Sequence, residues 1–578
     1  MGPLATPRGA RVGVLLLSCL AVACARRGVG EADVAAVDTH RDLPAAGDVP
    51  DALDAGARDV PRAPAGWARQ LAPLAGARVT QRRPTLRWTS SPDHPEVRVE
   101  VCDDRPCTRV SQQWSSATGA GRPPDDLAPG VHFWRLRVGG STTPAWPFVA
   151  PPRAGDADTS WNARADLNGD GRDDVVVLSR DDDAGAMTTV RTYPGRANDL
   201  PGAAVGFAVS GEPRARAVGD LDGDGYGDLA LRRVCVVPGE DRIEIHRGGP
   251  EGPAATPAPT IAWSGVTCVT GLQFVGVGDV NGDGYGDLLA LSPRPGGGFR
   301  RRVELYLGAP VGEAPTPSAV LEGGTEYSGF GDPRALGDVN GDGFADVAVV
   351  SRAGRLPSDG VLPARVEVYL GGVGGLPVAP SLTVQSPAPE DTGFGVLLDA
   401  PFDGDGDGFA DLAVGNRWFL LDPMAPPARV VVYRGGRAGL ATTGEVLALP
   451  PYTGNLQGAN AQVPVDLDHD GRDEIVVFAT QRGRVAVVRL RAGAVGGDAG
   501  VDDLGFDDRA LIPPSGVMAG DLDGDGRADL LAALRSPGAD APATTHALVL
   551  LRGGAWPEDP TPRVWIQGPA GAAMTLVW

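Results

Sequence analysis

The sequence predicts an all-β protein in two parts, a seven-bladed β-propeller preceded by a small β-sandwich. Three observations carry this. A short acidic loop recurs seven times at intervals of 54 to 65 residues. Each copy is flanked by apolar runs of strand length, and helical periodicity is almost absent from the 578 residues. The parts follow in chain order.

Residues 1–24 read as an export signal, with Arg8 and Arg11 ahead of an apolar run from 12 to 17 that continues to Ala23. The run is too short for a comfortable transmembrane helix. It ends in LAVAC, which resembles a bacterial lipobox with Cys24 as the lipidated residue, although Ala21 stands where leucine is more usual. Ala21-Val22-Ala23 is also an acceptable secretory cleavage site, and Cys19 is a second lipidation candidate. The expected location is the bacterial cell envelope, as an outer-membrane or cell-surface lipoprotein, with free secretion as the alternative. Residues 25–65, rich in Ala, Asp and Pro without usable periodicity, suit a disordered tether reaching roughly 35 Å.

From 66 to 151 the composition changes. Five tryptophans fall between Trp67 and Trp146, and the runs PTLRW, VRVEVC, VHFWRLRV and WPFVA alternate with turns such as LAPG. This pattern is similar to fibronectin type III or immunoglobulin-like sandwiches, and it places Trp88 and Trp134 in a core. Cys102 and Cys107 are close enough for a local disulfide, and Cys235 and Cys268 form a second candidate pair. The C-x4-C spacing has no matching second pair, which argues against zinc.

Residues 156–578 carry the repeats. The loops read DLNGDGRDD, DLDGDGYGD, DVNGDGYGD, DVNGDGFAD, DGDGDGFAD, DLDHDGRDE and DLDGDGRAD, starting at Asp166, Asp220, Asp279, Asp338, Asp403, Asp466 and Asp521. Acids at positions 1, 3, 5 and 9 around a glycine at position 6 suit a hard cation that takes six to eight oxygens. The glycine permits the tight turn, and position 7 is expected to offer a backbone carbonyl.

The expected ligands are therefore Asp166, Asn168, Asp170, Arg172 and Asp174; Asp220, Asp222, Asp224, Tyr226 and Asp228; Asp279, Asn281, Asp283, Tyr285 and Asp287; Asp338, Asn340, Asp342, Phe344 and Asp346; Asp403, Asp405, Asp407, Phe409 and Asp411; Asp466, Asp468, Asp470, Arg472 and Glu474; and Asp521, Asp523, Asp525, Arg527 and Asp529. An EF-hand needs a bidentate Glu at position 12; here that position is Val177, Leu231, Ala290, Val349, Val414, Val477 and Ala532, all apolar. Up to seven Ca²⁺ ions are expected. Metal-free hairpin turns would leave clustered acids repelling one another, and magnesium prefers to keep its waters.

Strand-like runs follow each loop, such as VVVLS, VAVVS and IVVFA, and then IEIHRGG, VELYLG or VVVYRGG. A fourth run, TIAWSG or RVWIQG, completes four short strands per repeat. Loops, strands and the GFG turns at 329–331 and 393–395 together resemble the FG-GAP family of integrin α-subunit-like, VCBS-type repeats, over about three-quarters of the chain. The resemblance implies a seven-bladed propeller with calcium in strand-connecting loops, commonly at the cell surface and in adhesion. The FG turn is degenerate in several repeats, a departure from the family pattern. The tail AAMTLVW is a candidate for closing the ring against the first blade.

The formal charge is −21, and seven dications would bring it to −7, so the acidity is mostly metal-site acidity. No basic stripe is present, which argues against a nucleic-acid partner; lysine is absent and arginine carries the positive charge. The histidines do not cluster, and His469, inside a loop, is read as solvated. No G-x-S-x-G, H-E-x-x-H or phosphate-binding glycine motif occurs. The expectation is a non-catalytic, calcium-held platform for an unknown surface protein or glycan, attached to a membrane through Cys24. A calcium-dependent lectin is the alternative, with an extracellular hydrolase or lyase behind it. For a lectin, only Trp263 and Trp565 fall in comparable fourth strands.

Overall fold

A computed structural model describes residues 67–577, apart from connecting stretches that include 417–428, 449–461, 491–499, 504–511 and 552–562. The signal segment 1–24, the tether, and Cys235 and Cys268 lie outside the described residues. Among the described residues every regular element is a β-strand.

The N-terminal domain is two sheets face to face. One joins Ala68–Ala72, Leu86–Ser90 and Ala120–Gly121; the other is built on Gly130–Val138, Val97–Cys102, Val110–Ser116, Trp146–Ala150 and Ala77–Val79. The alternation in VRVEVC turns Val97, Val99 and Val101 inward, where they meet Leu86, Trp88, Trp134 and Phe148. Trp88 and Trp134 are core residues at 3% and 0% exposure. A disulfide joins Cys102 and Cys107. Pairing is antiparallel except between Ala77–Val79 and Trp146–Ala150.

Ser160–Asn162, which the sequence groups with the propeller, instead adds a strand to this second sheet by pairing with Ala77–Val79. Its Trp161 packs among Leu336, Val350 and Phe394 of the repeats. The crossing from sandwich to repeats is thus pinned on both sides.

Seven four-stranded antiparallel sheets follow, the number that a seven-bladed ring requires. In sheets 2 to 7 the acidic loop joins the first two strands, as between Arg214–Gly219 and Asp228–Val234. The first sheet is different. The residues ahead of its loop are used by the sandwich, and Ala573–Val577 occupies the vacant place, pairing Val176 with Val577 through to Arg180 with Ala573. The C-terminal tail therefore completes the first sheet. Strands such as Val175–Arg180 are buried on both faces, because the apolar clusters lie between neighbouring sheets. Leu167, Val176 and Val190 of repeat 1, for example, pack on Leu229 and Leu231 of repeat 2.

Candidate metal loops

All seven loops share one hydrogen-bond scheme. The position-9 carboxylate accepts from the position-2 N–H at 2.8–3.1 Å in every copy. The position-5 carboxylate accepts from the position-7 N–H at 2.9–3.0 Å. In six loops the position-1 carboxylate accepts from the position-6 glycine at 2.7–3.0 Å. These glycines have φ between 83° and 91°, in the left-handed region, as the turn requires.

Positions 1, 3 and 9 converge. In the four loops with aspartate at position 3, ligand atoms of Asp220, Asp222 and Asp228, of Asp403, Asp405 and Asp411, of Asp466, Asp468 and Glu474, and of Asp521, Asp523 and Asp529 lie within 4.8 Å of one another. That is the spread of oxygens that each stand about 2.4 Å from one cation. In the loops of repeats 1, 3 and 4, position 3 is Asn168, Asn281 or Asn340.

Without a cation these carboxylates are poorly placed. Burial, reinforced by its like-charged neighbours Asp228, Asp224 and Asp222, holds Asp220 well above the usual carboxylate range. Burial likewise pushes Asp228 up to about 7 and Asp346 and Asp403 up to about 8. Asp222 is buried and its Oδ1 has no hydrogen-bond partner. Its Oδ2 has a charge contact with Arg247 Nη1 at 2.9 Å that does not meet hydrogen-bond geometry. Buried, mutually repelling oxygens with unused acceptor capacity fit a divalent cation.

The loops are also fasteners between repeats. The position-8 N–H of one loop donates to the position-1 carbonyl of the loop before it: Gly227 to Asp166, Gly286 to Asp220, Ala345 to Asp279, Ala410 to Asp338 and Asp473 to Asp403, at 2.8–3.0 Å. Asp173 of the first loop donates in the same way to Asp521 of the last, at 3.0 Å. A second set runs beside it, with Gly249 donating to Leu167 and Arg196 to Leu522. Where position 8 is aspartate, its side chain adds a link: Asp173 accepts from the Asp521 N–H and Asp473 from the Asp403 N–H. Sequence reading missed both acids, although aspartate at position 8 in only loops 1 and 6 was a visible signal.

Position 7 also does more than sequence reading expected. Its side chain lies over the position-4 glycine of the preceding loop, so that a Cβ on Gly282 would stand 2.6 Å from the Phe344 ring and one on Gly223 would stand 2.9 Å from Tyr285. The residues that look unpatterned share this packing task. His469 is the exception at position 4, at φ 61°. It is half-buried rather than solvated, and burial, helped by Arg527, lowers its pKa.

The sandwich rests on these same loops. Arg105, inside the disulfide loop, donates to the Gly169 and Gly225 carbonyls at 2.6 and 2.9 Å and covers the Tyr226 ring at 3.9 Å. Arg69 covers Tyr285, and Arg78 pairs with Asp473 at 2.7 Å. Cβ atoms on Gly171, Gly284 and Gly343 would meet Val131, Gln70 and Arg87. Trp263 is buried, with Nε1 donating to Glu304 at 2.9 Å, so it is no open platform for a sugar.

The family described as FG-GAP-like repeat matches residues 166–231 and 466–532, each span running from one of these loops through the next and into the strand that follows it. These two spans are FG-GAP-like repeats. The chain's repeats are similar to those of mouse (Mus musculus) integrin alpha-IIb, at 36% identity over 177 residues, 29% of this chain and 16% of that protein. Human (Homo sapiens) integrin alpha-7 is 30% identical over 236 residues, 39% of this chain and 18% of that protein. This chain thus spans less than a fifth of the length of these relatives.

Similar solved structures include an exotype rhamnogalacturonan lyase, with a TM-score of 0.30 and 14% identity over 82% of this chain and 89% of that one. Another is an alpha-L-arabinofuranosidase from Lactobacillus brevis, with a TM-score of 0.27 and 11% identity over 48% of this chain and 89% of that one. Both are enzymes by name, so the expectation of a non-catalytic FG-GAP-like protein is not kept. At these TM-scores neither likeness assigns a reaction.

Proposed function

We propose that this chain is an exported, calcium-held binding module of the bacterial cell envelope, with its FG-GAP-like repeats forming a seven-bladed ring. One observation carries the reading: among the described residues six of the seven candidate metal loops accept a main-chain hydrogen bond from the next loop, and one of these six is the seventh loop accepting from the first. A cation in such a loop neutralises buried carboxylates and holds in place the carbonyls that join neighbouring sheets. Calcium, at up to seven ions per chain, is the cation that this donor set suits. It would supply charge neutralisation and fixed loop geometry.

In this reading Cys24 is the lipid-anchored residue. The loops contacted by the sandwich are engaged from within the chain, so a surface protein meets the molecule elsewhere. Elemental analysis of the purified full chain should find several calcium ions, and excess chelator should lower its Tm, because a ligand held only by the folded state stabilises that state. A chain that carries no metal and melts at the same temperature with and without chelator would remove the calcium reading.

A further inference from the structure

The loops vary at position 3, asparagine in repeats 1, 3 and 4 and aspartate in repeats 2, 5, 6 and 7. A second position varies with it. Position 10 of each repeat pairs across the sheet with Tyr193, His246, Tyr306, Tyr369, Tyr433, Leu490 or Leu551. The residue after that partner is Pro194, Leu307 or Leu370 in the asparagine repeats, and Arg247, Arg434, Arg491 or Arg552 in the aspartate repeats. All seven repeats obey the rule.

The described geometry supplies a reason. Arg247 Nη1 lies 2.9 Å from Asp222 Oδ2 and 3.4 Å from Asp228 Oδ2. Arg434 Nη1 lies 3.4 Å from Asp405 Oδ2 and 2.8 Å from Asp411 Oδ2. Arg491 and Arg552 lie outside the described residues. In repeats 3 and 4, Leu307 and Leu370 pack against the apolar clusters between sheets. Counting positions 1, 3, 5 and 9 together with the residue after the position-10 partner, the asparagine loops carry three acids and the aspartate loops four acids and one arginine, so these positions sum to −3 in every repeat, with Arg172, Arg472 and Arg527 at position 7 outside the count. Asp173 and Asp473 at position 8 stand apart from this count, because they bond to the main chain of the preceding loop.

We propose that Arg247 and Arg434 are charge-compensating residues of the metal loops. Each neutralises the extra carboxylate at position 3 from outside, so that the loops of repeats 2 and 5 present the same charge to a divalent cation as those of repeats 3 and 4. Asp222 shows the division: Oδ2 faces Arg247, while the buried Oδ1 has no partner and is left for the ion. A fourth acid without its arginine would raise the repulsion within an empty loop, and an arginine without the position-3 acid would be a partly buried charge left with the position-9 carboxylate alone. The inference rests on the cation reading above, but the pairing has consequences when no cation is bound.

The test is a double-mutant cycle in the full-length chain, with melting followed in excess chelator and calcium content measured separately. Asp222→Asn and Arg247→Leu should each lower Tm by about 2–4 °C, and the double variant, which copies repeat 3, should return to the wild-type value. The converse pair, Asn281→Asp and Asn281→Asp/Leu307→Arg, should show the same loss and recovery in another loop. Arg247→Leu should bind as many calcium ions as the parent, because its guanidinium stands outside the loop. Single variants that melt like the parent, or double variants that show the sum of the single losses, would overturn the pairing. One additional calcium ion in Arg247→Leu would show that the guanidinium stands in the ion's place, which overturns its position outside the loop. Absence of metal from every chain, the parent included, would remove the calcium reading and leave the chelator cycle to decide the pairing.

Discussion

The sandwich and the acidic loops of the repeats each bury carboxylates, and the two settings surround them in opposite ways. Glu100 in the sandwich is 1% exposed and is met by Arg135 at 2.8 Å, Arg137 at 3.3 Å and Arg98 at 3.4 Å. Asp220 in the repeats is 2% exposed, and its nearest charged neighbours are other aspartates. A carboxylate ringed by arginines carries its counter-charge within the fold. One ringed by acids needs a charge from outside or a proton. Glu100 therefore has its counter-charge in the fold, and Asp220 is where the proposed cation would act.

The largest effect should come from opening the ring. Removing residues 571–578 takes away the strand that pairs with Val175–Arg180 and leaves that strand as an unpaired edge. The expected loss is on the order of 5 kcal/mol, at about 1 kcal/mol per ladder hydrogen bond. Hydrogen exchange should then rise first in repeats 1 and 7, while Val97–Cys102 in the sandwich keeps its protection. Uniform loss of protection across both regions would break the comparison.

A pH series in chelator comes next. The loop carboxylates have folded pKa values above their unfolded values: about 6 for Asp279, Asp338 and Asp466, about 7 for Asp228 and Asp411, and about 8 for Asp346 and Asp403. A raised carboxylate pKa contributes stability that is complete below the unfolded value near 4 and is lost as pH rises through the folded value. Each pKa unit corresponds to about 1.4 kcal/mol. In chelator, Tm should fall between pH 5 and pH 8; with saturating calcium the fall should vanish, since the ion holds the same oxygens in their charged form. A Tm that rises with pH in chelator would reverse the assignment.

The smallest effect is the control on the other side. Glu100→Gln should destabilise the sandwich by about 1–2 kcal/mol, a modest figure because Arg98 and Arg137 can turn to water. That loss should be equal with calcium and with chelator. A calcium-dependent loss would mean that the two regions are coupled through the Arg105 contacts more strongly than their separate chemistry suggests.

Much of this was legible in the sequence because it is local. An acid-and-glycine turn of nine residues reports its own geometry, and a spacing of 54 to 65 residues between copies counts the sheets. VRVEVC reports which face of its strand is buried. Asp173 shows where such reading stops. Its position in the loop is plain, but its partner, the Asp521 N–H, is 348 residues away. Arg105 likewise stands in an ordinary turn between two cysteines, and nothing nearby in the chain signals two glycine carbonyls in different repeats.

The sequence alone determined the all-β class, the seven loops, their donor chemistry and the tail left over for a further pairing, since each depends on residues within one short segment. Tertiary structure decided the rest. Only the folded chain brings Ala573–Val577 beside Val175–Arg180, lays the sandwich against the loops and sets Arg247 beside Asp222. Those contacts depend on where whole sheets pack, and packing is set by the summed burial of many apolar side chains rather than by any short motif.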